Sequence, residues 1–321
     1  MKIHLPNSAF LGNIDPFLRT LDMSHPDELK ITTNKKWTSI HPVVLSIVGA
    51  IGLTVNPSKI NFEKPEAKSK HYLKRMGLFK LLKIPSDIKM MEHEPAGRFI
   101  PLTQITDGVA LTKFITDMIP LLHLKLEHTE SIRYIVSELV RNVLEHSLSP
   151  DGALVSAQYY EKSNSIRIGI ADTGLGIKKT ISQSYPANSD LSAIRLALSP
   201  GITGTTKKEG GTELNAGAGL FFIRSIAKVN RNYFMIYSGK AMYKLLKPKK
   251  TQRKASLHAD PFMDRSSMGE DFPFWQGTAV GIDISLDATE EFGALLDLIR
   301  KIYKKTTKER KKARHKKARF I

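Results

Sequence analysis

The chain has 321 residues, 41% of them hydrophobic and 25% charged, which suits two packed soluble domains. It contains no cysteine, and that excludes a disulfide framework and a cysteine-ligated metal. The net charge of +18 is uneven: residues 301–321 hold eleven Lys or Arg against one acid, Glu309, and so carry +10 of it.

The start, MKIHLPNSAF, lacks the basic lead and apolar core of a secretory signal. The longest apolar run, residues 42–55, has 14 residues, too few to cross a bilayer, and reads as a buried core helix. A cytoplasmic protein with no membrane contact is the expectation.

In chain order, residues 1–5 read as a strand, 16–21 as a short helix and 28–33 as a strand. Pro42 suits the first position of a helix running to about Ile51, where its missing N–H is harmless. Residues 53–57 read as the start of a further strand, and 68–82 as a helix. The β-α-β-α order predicts a small α/β domain over residues 1–83. Residues 84–126 read as a Pro-interrupted connector followed by a helix over 106–119.

The apolar stripe of Ile132, Ile135, Val136, Leu139, Val140, Val143 and Leu144 predicts a long helix over 127–147, with Thr129 as a cap. Residues 153–160 and 165–171 alternate as antiparallel strands across a turn at 162–164. A short helix over 190–198 precedes a glycine-rich mobile loop over 199–215, then a helix from Gly217 to Val229. Strands follow at 233–238 and 242–246, a long polar insertion at 248–276, a strand at 278–286 and a helix at 290–303. Residues 301–321 read as a separable basic tail, with a smaller basic cluster at 247–254.

Three motifs carry chemistry. Glu138, Asn142 and His146 stand four residues apart and so share one helix face. A carboxylate and an amide one turn apart suit Mg2+, which takes an oxygen from Asn142 and keeps phosphate oxygens, while Glu138 orients or deprotonates water. Asp172, at a strand end, can accept from an exocyclic amine such as adenine N6, and Gly174 and Gly176 let backbone approach a ring. Gly217 and Gly219 open a helix whose first N–H groups favour phosphate. Each motif alone has a plainer reading: a solvated helix face, an Asp-Thr-Gly turn, a flexible loop. No G-x-x-x-x-G-K-[ST] sequence is present, which disfavours a P-loop NTPase.

The ordered set ELVRNVLEH, IADTGLGI, NAGAGLFFIRSIA and QGTAVGIDI resembles the GHKL superfamily of ATP-binding proteins over about half the chain. That group includes gyrase-type topoisomerases, ninety-kilodalton heat-shock chaperones, sensor histidine kinases, mismatch-repair ATPases and anti-sigma serine kinases. The resemblance implies an α/β fold, an α+β two-layer sandwich of Bergerat type with a mixed sheet, over residues 127–300. It implies ATP and Mg2+ as ligands, with Asn142 on the metal and Glu138 as general base. His146, Asp172, Gly174, Gly176, Gly217, Gly219 and Thr278 would complete the nucleotide site. Phe221 departs from a glycine common in the third motif, and the 248–276 insertion is long for a compact sensor-kinase domain.

No paired-helix pattern with a phosphoacceptor histidine precedes residue 127, which argues against a conventional sensor kinase; His41 is followed by Pro42 rather than an acid. The helix pattern looks most like that of the anti-sigma serine kinases, and residues 1–83 look somewhat like a STAS-type domain. The leading expectation is a cytoplasmic ATPase switch whose lid movement regulates a partner. A protein serine/threonine kinase and an ATP-gated nucleic-acid binder using Lys301 to Ile321 are the alternatives. A homodimer stays open.

Overall fold

A computed structural model describes residues 1–36, 38–63, 69–86, 99–118, 122, 126–202, 204, 219–248, 257–287 and 292–317. The first part gives β1 (Lys2–Leu5), β2 (Ser8–Ala9), α1 (Asp15–Arg19), β3 (Leu29–Thr33), β4 (Ser39–Ile40), α2 (Pro42–Leu53), β5 (Ile60–Phe62), α3 (Ser69–Arg75) and α4 (Leu78–Leu81). Next come β6 (Phe99–Ile105), α5 (Gly108–Met118), α6 (Leu126–His146), β7 (Ala153–Tyr160), β8 (Ser165–Asp172), α7 (Ile177–Ser182) and α8 (Asp190–Ala197). The remainder is α9 (Gly219–Val229), β9 (Phe234–Gly239), β10 (Ala241–Leu245), β11 (Ser266–Gly269), β12 (Trp275–Ser285) and α10 (Phe292–Lys317).

Seven strands form one sheet in the order β11-β10-β9-β12-β8-β7-β6, and β1-β3-β5 form a small parallel sheet. Every pairing in the large sheet is antiparallel, which corrects the expected mixed sheet. The reason lies in β12. The helical crossover returns β9 in the same direction as β8, as a parallel neighbour would run. β12 then inserts between the two, antiparallel to both.

The N-terminal elements add a layer to the two expected over residues 127–300. Alternate strand residues divide the sheet: Val155 and Ala157 join the core under α6 and α9, whereas Leu154 joins the core built by the N-terminal elements. Helix α2 explains the extra layer. It is buried on all sides from Pro42 to Gly52, and a helix apolar all round must be enclosed. His41 caps it, its Nδ1 accepting from the Val43 amide at 3.1 Å while Nε2 meets Asp283 Oδ1 at 3.1 Å. The Ser46 hydroxyl donates to the Gly169 carbonyl at 3.0 Å, and Ser156 donates to the Pro42 carbonyl at 3.0 Å. A Cβ at Gly169 would stand 2.1 Å from the Val43 nitrogen, so only glycine lets α2 lie this close on β8.

Other expectations shift in place. Residues 53–57 end α2 rather than starting a strand, because Pro57 cannot donate and the Asn56 side chain caps a short turn at Ser58 at 3.0 Å. The expected 68–82 helix breaks at Gly77, whose φ is 78°. The 84–126 connector contributes β6 to the edge of the large sheet. Thr129 lies inside α6, which begins at Leu126, and so does not cap it. The insertion at 248–276 supplies β11 and the start of β12. Residues 301–317 are not a separate tail: α10 runs on through Lys317, since Lys and Arg extend a helix that is already packed. No helix among the described residues is long and apolar enough to cross a membrane.

Gly169→Ala should destabilise the protein by roughly 2–4 kcal/mol, because α2 must move off the sheet. Gly293→Ala, whose Cβ would meet nothing within 4 Å, should leave stability unchanged or slightly raised. Urea midpoints of the two variants measure the contrast.

Candidate functional site

The end of β8, the inner face of α6 and the start of α9 enclose a cleft of ≈ 310 Å³. Glu138, Asn142, His146, Asp172, Gly176, Gly219 and Thr278 all line it, so the structure brings together residues up to 140 positions apart in sequence. Gly174 is not among the lining residues. Gly217 lies outside the described residues, as does most of the loop expected over 199–215.

Asp172 is the deepest polar group, 2% exposed. It ends β8 opposite Thr278 of β12, and its Oδ1 accepts from the Gly174 amide at 2.8 Å. Burial raises its carboxyl to about 7; the Gly174 and Thr278 amides and the Ser147 hydroxyl pull it part of the way back. The loop after it is tied to the end of α6: the Leu175 amide donates to the Ser147 carbonyl at 2.6 Å. A Cβ on Gly174 would stand 2.1 Å from that carbonyl, which is why this turn needs glycine. The Gln276 amide donates to the Gly174 carbonyl at 2.6 Å and closes the loop from the β12 side. Gly176, at φ 76°, then turns the chain into α7.

On α6 the three polar residues do share the cleft-facing side. Burial raises the Glu138 carboxyl, while Arg141 draws it down and Glu145 adds to the rise. Arg141 Nη1 donates to Glu138 Oε1 at 3.3 Å, leaving Oε2 toward α9. Asn142 Nδ2 and His146 Nδ1 are buried and have no hydrogen-bond partner among the described residues. Buried polar atoms are nearly always paired, so two orphans in one cleft call for a ligand or ordered water. Opposite them, an added Cβ on Gly219 would sit 2.7 Å from Glu138 Oε2 and 3.6 Å from Asn142 Nδ2. The glycine therefore lets the first turn of α9 approach both groups.

Helix α9 is held at its far side by buried charge. Arg224 Nη1 stands 3.5 Å and Lys228 Nζ 3.3 Å from the enclosed carboxylate of Asp264, which comes from the 248–276 insertion. Phe221, the departure from the third motif, is fully buried and packs on Phe222 and Tyr303. Aliphatic side chains of Ile170, Ile177, Ile181 and Val280 form a slot beside Asp172. Sequence reasoning missed Ser147, Thr180 and Tyr134, which also line the cleft. Ser147 is the last residue of the predicted helix and Thr180 lies three residues past the second motif, so position was their only signal. His41, weighed as a phosphoacceptor, is fully buried at the N-terminus of α2 and out of reach.

Among the described residues, no three or more His, Cys, Asp or Glu side chains converge as a metal cage. A scan against protein-family models finds no match for this chain, and a search of curated proteins finds none.

Asp172 carries a sign that stability can read. Its folded value lies above the usual 3.8, so the native state binds more protons than the unfolded chain between about pH 4 and 7. Stability from this group falls as pH rises through that window. Asp172→Asn should remove the fall and make the ligand-free protein more stable at pH 8, by on the order of 3 kcal/mol. Denaturant titrations at pH 5 and pH 8 give the comparison, and equal pH slopes in both proteins would refute it.

Proposed function

We propose that the cleft binds ATP with Mg2+ and that the protein is an ATP-driven switch of the GHKL kind. The observation that carries this reading is the convergence of a buried acceptor, two buried polar atoms without a partner among the described residues and a glycine-started helix on one cleft. The aliphatic slot suits a planar base, and Asp172 at its end suits the amino group of adenine. The start of α9 supplies backbone N–H groups for the phosphates.

Magnesium fits the donor set in one mode. The carboxamide oxygen of Asn142 would be the protein ligand, its unpaired Nδ2 would meet a phosphate oxygen, and a cation that keeps its waters and phosphate oxygens needs no larger protein cage. When bound, the ion neutralises phosphate charge. Glu138, raised by burial, is suited to take a proton from an attacking water at neutral pH. The Arg141 contact fixes its orientation.

Asn142→Ala should lower ATP affinity at least about tenfold, a loss of one polar ligand contact. Glu138→Gln should keep affinity and lose turnover. Calorimetric titration with ATP and Mg2+ measures the first, and release of label from γ-labelled ATP the second. Label found on the protein instead of in free phosphate would favour the serine/threonine kinase. Unchanged affinity in Asn142→Ala would remove the site assignment.

A further inference from the structure

Helix α10 divides lengthwise. Its inner side is fixed in the core: Leu295 and Ile299 are buried, Phe292 packs on Tyr134 with ring centres 5.8 Å apart, and Tyr303 packs on Phe221 and Phe222. Farther along, the inward Arg310 donates to the Pro200 carbonyl at 2.8 Å. The outer side is different. Lys301, Lys304, Lys305, Lys308 and Lys312 are all exposed, at spacings of three, one, three and four residues. At about 100° per residue those positions share one face, spread over roughly 16 Å of helix. Asp297, upstream, is already paired with Arg300 at 3.0 Å, and Glu309 is the one acid in residues 301–317.

We propose that this lysine face docks the sugar-phosphate backbone of a nucleic-acid duplex. Three features select that partner. Ammonium groups gathered on one helix face over about three turns meet a row of phosphates without needing base contacts. Among the described residues no aromatic side chain stands on this face, since Tyr303 is turned inward, and the face offers no stacking platform of the single-strand kind there. A membrane-surface helix needs an open apolar side, and here that side is packed against α6 and α9. The proposal deepens the switch reading by naming its partner: the docking helix is bolted to the two helices that bear Glu138, Asn142 and Gly219.

The test is run without nucleotide, so that its failure and failure of the ATP assignment are separate results. Fluorescence anisotropy follows the full chain binding a labelled, random-sequence DNA duplex of about 20 base pairs across a salt series. Five phosphate contacts predict a log–log salt slope of roughly −4 to −5. The combined variant Lys304→Ala, Lys305→Ala, Lys308→Ala and Lys312→Ala should flatten the slope by three to four and weaken binding at least about tenfold at low salt. Its thermal midpoint should match that of the parent protein. Lys308→Gln alone should flatten the slope by about one. The proposal is overturned if the duplex does not bind or if Lys308→Gln and the combined variant bind it with the parent slope. Tighter binding to the single strand, to phosphatidylserine vesicles or to polyglutamate than to the duplex also overturns it.

Discussion

Strand β8 is gripped from both faces, and the geometry of the cleft depends on that grip. On one face Gly169 admits the first turn of α2 to van der Waals contact, with Ser46 and Ser156 tying helix to sheet. On the other, Ile166, Ile168 and Ile170 pack under the cleft-side helices. Three residues beyond Gly169 the strand ends in Asp172, whose carboxyl is held out of water at a cost the fold must offset. A carboxylate placed this way is poor for stability and useful for recognition. The N-terminal layer is thus part of what sets the site, since it fixes the strand from which Asp172 projects.

The opposite wall has its own supports. Helix α9 brings its opening glycine against Glu138 and Asn142, while Arg224 and Lys228 anchor it on Asp264. The aromatic group of Tyr134, Phe221, Phe222, Phe292 and Tyr303 joins α6, α9 and α10 into one packed unit. Phe221, which departs from the motif pattern, belongs to that unit. A glycine there would leave a cavity against α10. The long insertion and the unusual residue thereby share an explanation: both brace α9 in a chain whose C-terminal helix rests on it.

What the sequence made legible followed from local rules. The stripe on α6 and its four-residue polar spacing located Glu138, Asn142 and His146, and the Pro42 helix start and the β7–β8 hairpin also lie where periodicity put them. What stayed hidden needed tertiary partners. The all-apolar α2 announced burial and not what would bury it. β6 was masked by Pro101, which an edge strand tolerates and which sits within a register shift between Ile100 and Thr103. The insertion of β12 between β8 and β9 is a matter of topology, invisible to any window of residues. The lysines of 301–317 read as a solvated arm because charge says nothing of the apolar positions that seat the same helix.

In the proposed complex a ligand amine is received by the ionised carboxylate of Asp172, which burial raises to about 7 in the free protein, so that part of it is protonated at neutral pH. Binding must then expel a proton. Calorimetric titration of ATP with Mg2+ at pH 7, in two buffers of different ionisation enthalpy, counts that proton. Release of a fraction of a proton per site is expected, and its loss in Asp172→Asn. Binding with no proton release, or with the same release in the variant, would contradict it.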